Sequence, residues 1–208
     1  MTLSLPAGAY LLACDPDRGR IRNRRGTALL IRAAAATDLV LRDRLRDTGG
    51  HAESTGLGPT GDLVLDDLLT EAAERGPWSW RALLRRDAMD TLRSLELQMS
   101  AAGLLSEQTT ALLQRKVLVA DDLTRVQAVH ERATAALTAP LSEVDASDAA
   151  LVSLAAAAQI GVRRRTTRRY SARLDELAER AGPMVPVLRK LVRSLRAARI
   201  AAASSGGG

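Results

Sequence analysis

Gly56-Leu57-Gly58-Pro59-Thr60-Gly61 runs straight into Asp62-Leu63-Val64-Leu65-Asp66-Asp67-Leu68-Leu69, and two incompatible folds can be read from that junction. The first six residues match G-x-G-x-x-G, the turn that holds a dinucleotide pyrophosphate at a helix start. Such a turn needs a buried parallel strand before it and βαβ alternation after it. Asp47-Thr48-Gly49-Gly50-His51 is no such strand, and nothing downstream alternates in that way. The stretch therefore reads as a turn that feeds a helix, with Thr60 or Asp62 as the cap. A doubly wound α/β fold is excluded, and a mainly α fold follows.

Outward from that helix the apolar period is mostly helical, over 6–14, 27–44, 61–74, 78–102, 122–138, 147–162 and 167–181. A basic amphipathic helix begins near Pro186, with Val187, Leu188, Leu191, Val192 and Leu195 opposite Arg189, Arg193 and Arg196. Two stretches read as strands: Leu45 to His51, and Ala111 to Ala120 within a hairpin beginning after Leu105. Phe is absent and Tyr10, Trp78, Trp80 and Tyr170 are the only aromatics, so Leu, Ala, Val and Ile must fill the core. That palette packs helices better than strands; with so few aromatics, Trp78 and Trp80 read as core anchors rather than ligand-stacking residues. The expected architecture is a compact helical bundle with one or two short β-hairpins, a single domain over 1–203 and a flexible tail at 204–208.

Charge is clustered along the chain. Six arginines and no acid lie from Arg18 to Arg32, and five more arginines with no acid from Arg163 to Arg169. Asp62 to Glu74 carries five acids and no base, while no acid follows Glu179. Because 28 of the 30 cations are arginine, the net charge of +6 cannot be titrated away near neutral pH. Guanidinium forks of this kind suit phosphates, of lipid or of nucleic acid.

Other classes find little support. The single Cys14 cannot form an intramolecular disulfide, and with only His51 and His130 beside it no zinc-ligand spacing arises. Leu11-Leu12-Ala13-Cys14 looks like a lipoprotein cleavage box but lacks a positive segment before it, so Cys14 reads as a core thiol. No nucleophile elbow is present, and Asp66-Asp67 with Glu71 and Glu74 reads as a solvated helix face. No catalytic residue, cofactor or metal is expected, and the longest apolar run, Ala149 to Val162, is too short to span a bilayer.

Several segments, in order, resemble the Golgi phosphoprotein 3 family. Leu3-Ser4-Leu5 through Leu11-Leu12-Ala13-Cys14-Asp15, followed by Arg18-Gly19-Arg20, is similar to its first helix and acidic-glycine turn. Leu39-Val40-Leu41-Arg42-Asp43-Arg44-Leu45 resembles a Leu-x-Leu-Arg-Gly-Arg-Leu element, with Asp43 in place of glycine. Pro59-Thr60-Gly61-Asp62 before Leu65-Asp66-Asp67-Leu68-Leu69 is the most specific match, and a long helix ending at Gly103-Leu104-Leu105 leads into a hairpin, as in the family.

The resemblance implies a membrane-peripheral protein of the bacterial type; with no catalytic signature and a single cysteine, the expectation is a non-enzymatic protein of the reducing cytoplasm on the inner face of the membrane. The resemblance further implies binding of anionic phospholipid headgroups, phosphatidylinositol 4-phosphate in the family, through a pocket of arginines and a tryptophan. Arg32 falls on a pocket arginine, while Asn23 falls on the tryptophan position. Two further pocket cations fall on Met89 and Leu92, with Arg86 and Arg93 nearby to replace them. Leu112 and Leu113 occupy the hairpin position that dips into the membrane. Cytosolic tails of membrane enzymes are the implied protein partners, and a homo-oligomer is compatible with the sequence. The rival reading is an Arg-rich nucleic-acid-binding regulator, which the charge permits but for which no reading helix or aromatic platform is visible.

Overall fold

The computed structural model describes residues 3–110, 115–187, 189, 190 and 193. In chain order the elements are α1 (Leu5–Ala13), α2 (Arg24–Leu41), β1 (Leu45–Thr48), β2 (His51–Ser54), α3 (Leu63–Arg75), β3 (Trp78–Ser79), α4 (Trp80–Arg85) and α5 (Ala88–Ala101). They continue as β4 (Leu105–Thr110), β5 (Arg115–Ala120), α6 (Leu123–Ala136), a single 3-10 turn (Leu141–Glu143), α7 (Ala146–Ala158), α8 (Arg164–Arg169) and α9 (Ser171–Arg180). The fold is mainly α, with two small antiparallel sheets ordered β1-β2-β3 and β4-β5. Residues 184–187, 189, 190 and 193 are also helical, where the sequence places the basic amphipathic helix.

Polar side chains set most of the helix starts. Asn23, Asp62, Ser79, Asp122 and Asp145 each accept a hydrogen bond from a backbone N–H two or three residues on, opening α2, α3, α4, α6 and α7. Each cap contributes about 1 kcal/mol.

The core forms around α1, which is buried on nearly every side because Leu5-Pro6-Ala7-Gly8-Ala9-Tyr10-Leu11-Leu12 carries no charge. Helices α2, α5, α6 and α7 pack around it. Alanine explains how a core without Phe closes: Ala33 to Ala36 of α2 and Ala155 to Ala158 of α7 are buried, and small side chains let helix backbones approach closely. Leucines fill what remains, among them Leu30, Leu39, Leu65, Leu83, Leu92 and Leu154, each worth roughly 1.5–3 kcal/mol on full burial.

Three expectations need correction. The single strand read from Leu45 to His51 is a hairpin, because Gly49 and Gly50 both take positive φ and turn β1 back on β2 with Thr48 opposite His51. The single helix read over 78–102 is β3, α4 and α5, broken where Asp87 adopts a left-handed backbone (φ 46°). The helix read over 167–181 is α8 and α9, divided at Tyr170. The hairpin expected after Leu105 is present as β4 and β5, paired from Leu105↔Ala120 to Thr110↔Arg115. Leu112 and Leu113, expected at its tip, lie outside the described residues, as does the expected tail at 204–208.

Candidate functional site

The G-x-G-x-x-G turn is already filled by the chain's own carboxylates. Asp66 accepts hydrogen bonds from Thr60 N (2.6 Å), Thr60 Oγ1 (2.7 Å) and Gly61 N (3.1 Å), and Asp62 accepts from Val64 N and Leu65 N. Burial pushes the Asp66 carboxyl up, but the bonds from Thr60 and Gly61 outweigh it and hold the group below the ordinary carboxylate range. The donors that would cradle a phosphate are spent on locking the turn to α3. Thr60 and Asp62 were both candidates for the cap; Asp62 takes it.

Arg32 sits on the inward face of α2 and is 3% exposed. Its Nε donates to Leu83 O (2.9 Å), Nη1 to Thr91 Oγ1 (2.8 Å) and Nη2 to Glu71 Oε2 (2.5 Å), so one guanidinium ties α2 to α3, α4 and α5. Arg86 reaches the same carboxylate, with Nε 3.5 Å from Glu71 Oε1, and lies over the Trp78 ring at 5.1 Å. A cavity of about 140 Å³ opens beside Arg32, but its walls include Asp67, Glu71, Asp87 and Asp90. Arg93, on the exposed side, pairs with Asp90 at 2.6 Å. Arg32, Arg86 and Arg93 thus do converge on one region, yet each faces a carboxylate there. Asn23 is elsewhere, capping α2 through Gly26 N.

A second constellation lies inside the bundle. Glu96 of α5 accepts Arg24 Nη1 at 2.7 Å and Nη2 at 2.6 Å in a fork, and accepts the Tyr10 hydroxyl at 3.2 Å. Burial and the Glu96 charge push the Tyr10 phenol up, and burial with the same charge pushes the Cys14 thiol up to about 12. Both stay protonated at neutral pH, which suits structural rather than nucleophilic roles.

Two runs carry arginines that stay free of acid partners among the described residues, one before and at the start of α2 and one after α7. A Cβ placed on Gly26 would come within 2.9 Å of Ile160 Cδ1, so the first turn of α2 packs on the residues that end α7. That contact sets the start of α2 beside the segment that leads from α7 into the arginine run of residues 163–169. The Arg18-Gly19-Arg20 turn sits at the base of the β4–β5 hairpin, with Ala120 N donating to Gly19 O at 2.8 Å. Gly19 needs its positive φ of 61°, and a Cβ there would lie 2.9 Å from Leu123. Arg22 is held by Asp15 and Arg24 by Glu96. Among the described residues no acid pairs with Arg18, Arg20, Arg25, Arg163, Arg164, Arg165 or Arg168, and all but half-buried Arg20 are exposed.

One family model, Golgi phosphoprotein 3 (GPP34), matches the sequence over residues 5–195. The chain belongs to the Golgi phosphoprotein 3 family. No curated protein matches it in sequence. The family match runs from α1 through the basic helix after Pro186, so both the Arg32 cluster and the free arginines lie within it.

Sequence reasoning missed Glu71 and Trp78 as members of the Arg32 cluster. The resemblance pointed to Asn23 for the tryptophan position, and the tryptophan beside this arginine pair is Trp78 of β3. No spacing rule connects residues 32, 71, 78 and 86. The free arginines had a visible signal, in the two acid-free runs. Among the described residues no helix is long and apolar enough to cross a membrane, and no group of His, Cys, Asp and Glu is arranged to hold a metal ion.

Proposed function

We propose that this protein is a non-enzymatic, membrane-peripheral binding protein of the cytoplasm that attaches to the inner face of the membrane through anionic phospholipid headgroups. One observation carries the reading: Arg18, Arg25, Arg163, Arg164, Arg165 and Arg168 are exposed with no acid partner among the described residues, and Arg18 stands in the turn at the base of the β4–β5 hairpin. Each arginine held near an anionic leaflet contributes about 1 kcal/mol, so a handful suffices for reversible attachment. Leu112 and Leu113, between β4 and β5, are the residues that would add an apolar contribution to attachment.

The headgroup contacts belong to Arg18, Arg20, Arg25 and the 163–168 run rather than to Arg32, whose fork is already bound to Glu71. Phosphatidylinositol 4-phosphate is the family-type headgroup for this surface, and gripping the cytosolic tails of membrane enzymes is the adaptor role that would follow from attachment.

Vesicle flotation tests the reading, comparing neutral phosphatidylcholine vesicles with vesicles carrying phosphatidylglycerol or phosphatidylinositol 4-phosphate at low and high salt. Binding to the anionic vesicles, weakened by salt, is the expected result. Replacing Arg18 and Arg25 by Gln should weaken it roughly thirtyfold, from about 1 kcal/mol per charge. Absence of binding to every vesicle would end the proposal, and selective retention on duplex DNA instead would transfer the free arginines to nucleic acid.

A further inference from the structure

Between the end of α7, α8, α9 and the basic helix lies a cavity of about 390 Å³, which shares Arg168 with the arginine run after α7. Arg168 of α8 lines it together with Arg189 and Arg193, and Ala156, Ala157 and Leu174 supply apolar wall. Arg189 and Arg193 are four residues apart on one helix, a spacing that puts like charges side by side and costs stability when nothing lies between them. The only carboxylate lining the cavity, Asp175, stands 3.5 Å from Arg189 Nη2. Arg193 donates Nε to Arg189 O at 3.4 Å, and Arg168 has no ion-pair partner among the described residues. Thr167 and Ser171 add hydroxyls to the same wall.

We propose that this cavity is a phosphomonoester site, formed by Arg168, Arg189 and Arg193 with Ser171, for a phosphate carried on a small carbon frame. Three guanidiniums against one carboxylate leave an excess of two positive charges, which complements a phosphomonoester of charge about −1.5 to −2 at neutral pH. A phosphodiester carries a single charge and leaves one guanidinium uncompensated. Guanidinium forks take phosphate oxygens two at a time, which fixes orientation as well as charge. The volume falls within the roughly 300–1,000 Å³ of small-molecule sites, and the Ala and Leu wall gives the carbon frame an apolar surface to lie on. The phosphomonoester can come from a soluble metabolite or from a lipid headgroup. The inference deepens the anionic-surface reading and rests on it: a bulk arginine face attracts any anion, whereas this cavity selects the doubly charged one.

The test uses the full chain and two probes of the same chemistry, soluble glycerol 3-phosphate by calorimetry and phosphatidic acid vesicles by flotation. Phosphatidylglycerol vesicles serve as the phosphodiester comparison at matched surface charge. The variant is Arg168→Gln with Arg193→Gln, both exposed positions, and Arg46→Gln with Arg81→Gln removes the same charge on the β1–β2 and α4 side of the molecule. Circular dichroism checks that each variant is folded. Glycerol 3-phosphate binding that drops at least tenfold in the Arg168/Arg193 variant alone supports the site with a soluble ligand. A preference for phosphatidic acid over phosphatidylglycerol that disappears in the same variant supports it with a lipid ligand. Equal binding to both vesicle types, with no soluble binding, overturns the cavity while the membrane reading survives. Phosphomonoester binding that the Arg168/Arg193 variant leaves unchanged also overturns it. Loss of binding to all anionic vesicles by the unmodified protein is the separate result that removes the membrane reading itself.

Discussion

Arg32 and Arg25 lie seven residues apart in one acid-free run on one helix, and they have opposite fates. Arg32 is buried and committed to Glu71, Thr91 and Leu83, while Arg25 is exposed with no acid beside it. Of the six arginines from Arg18 to Arg32, three are claimed by acids distant in sequence or across a turn: Arg22 by Asp15, Arg24 by Glu96 and Arg32 by Glu71. None of the five from Arg163 to Arg169 is claimed by an acid among the described residues, although Arg169 lies over the Tyr170 ring. An acid-free run in a sequence is thus a statement about neighbours along the chain. Available charge depends on neighbours in space, and helix packing decides that.

The sharpest way to break the contrast is to remove each arginine in turn. Arg32→Met strands Glu71 half-paired beside Asp67 and Asp87, and breaking a buried pair costs about 3–5 kcal/mol. A protein of this length should lose roughly 10 °C in melting temperature. Arg32→Met combined with Glu71→Leu should recover most of that loss, because the desolvation of both charges goes with them. Arg25→Met should leave the melting curve within about 0.5 kcal/mol of the original. Equal melting shifts for Arg32→Met and Arg25→Met would mean that Arg32 is not the tie between α2 and its neighbours.

Two smaller effects sharpen the arginine turn and the Pro-Thr-Gly-Asp lock. Gly19→Val forces a β-branched residue to positive φ against Leu123 and should cost about 1–3 kcal/mol, read by urea unfolding. Asp66→Asn should cost about 1 kcal/mol at neutral pH. Because the folded-state pKa of Asp66 is lowered, its contribution is present above the unfolded value near 4 and is lost as pH falls through the folded one. The stability gap between Asp66→Asn and the unmodified chain should therefore close as the pH falls below the ordinary carboxylate range. A gap that persists in acid would show that the turn depends on shape and not on carboxylate charge.

Much of the fold was legible because its signals are local. Leu5 to Ala13 is apolar on every side and had to be an interior helix, and the β4–β5 hairpin and the cap at Asp62 follow from short patterns. The break between α4 and α5 was not legible, since Asp87 in a left-handed conformation has no sequence signature of the kind Gly49-Gly50 gives. The site was harder for the same reason. Family spacing led to Arg32, but the carboxylate that neutralises it comes from α3, the tryptophan beside it from β3 and the partner cation from the loop after α4. Only packing brings those four elements together around Arg32.

The smallest expected effect concerns pH. The exposed, unpaired cations on which the proposed attachment rests, Arg18, Arg25, Arg163, Arg164, Arg165 and Arg168, are all arginine, which stays protonated throughout the physiological range. Binding to phosphatidylglycerol vesicles should therefore stay flat between about pH 6 and pH 9 while falling steeply with salt. The paired arginines do not disturb this. Burial pushes the Asp15 carboxyl up, but the bonds from Asp17 and Arg18 and the Arg22 guanidinium prevail and hold it below its ordinary value. Asp15 then remains ionised over that whole range and keeps Arg22 neutralised. Binding that strengthens on mild acidification would show that an acid had released its arginine to the membrane, and that the division between committed and free arginines shifts with conditions. A flat pH profile with a steep salt profile places attachment on the unpaired arginines alone.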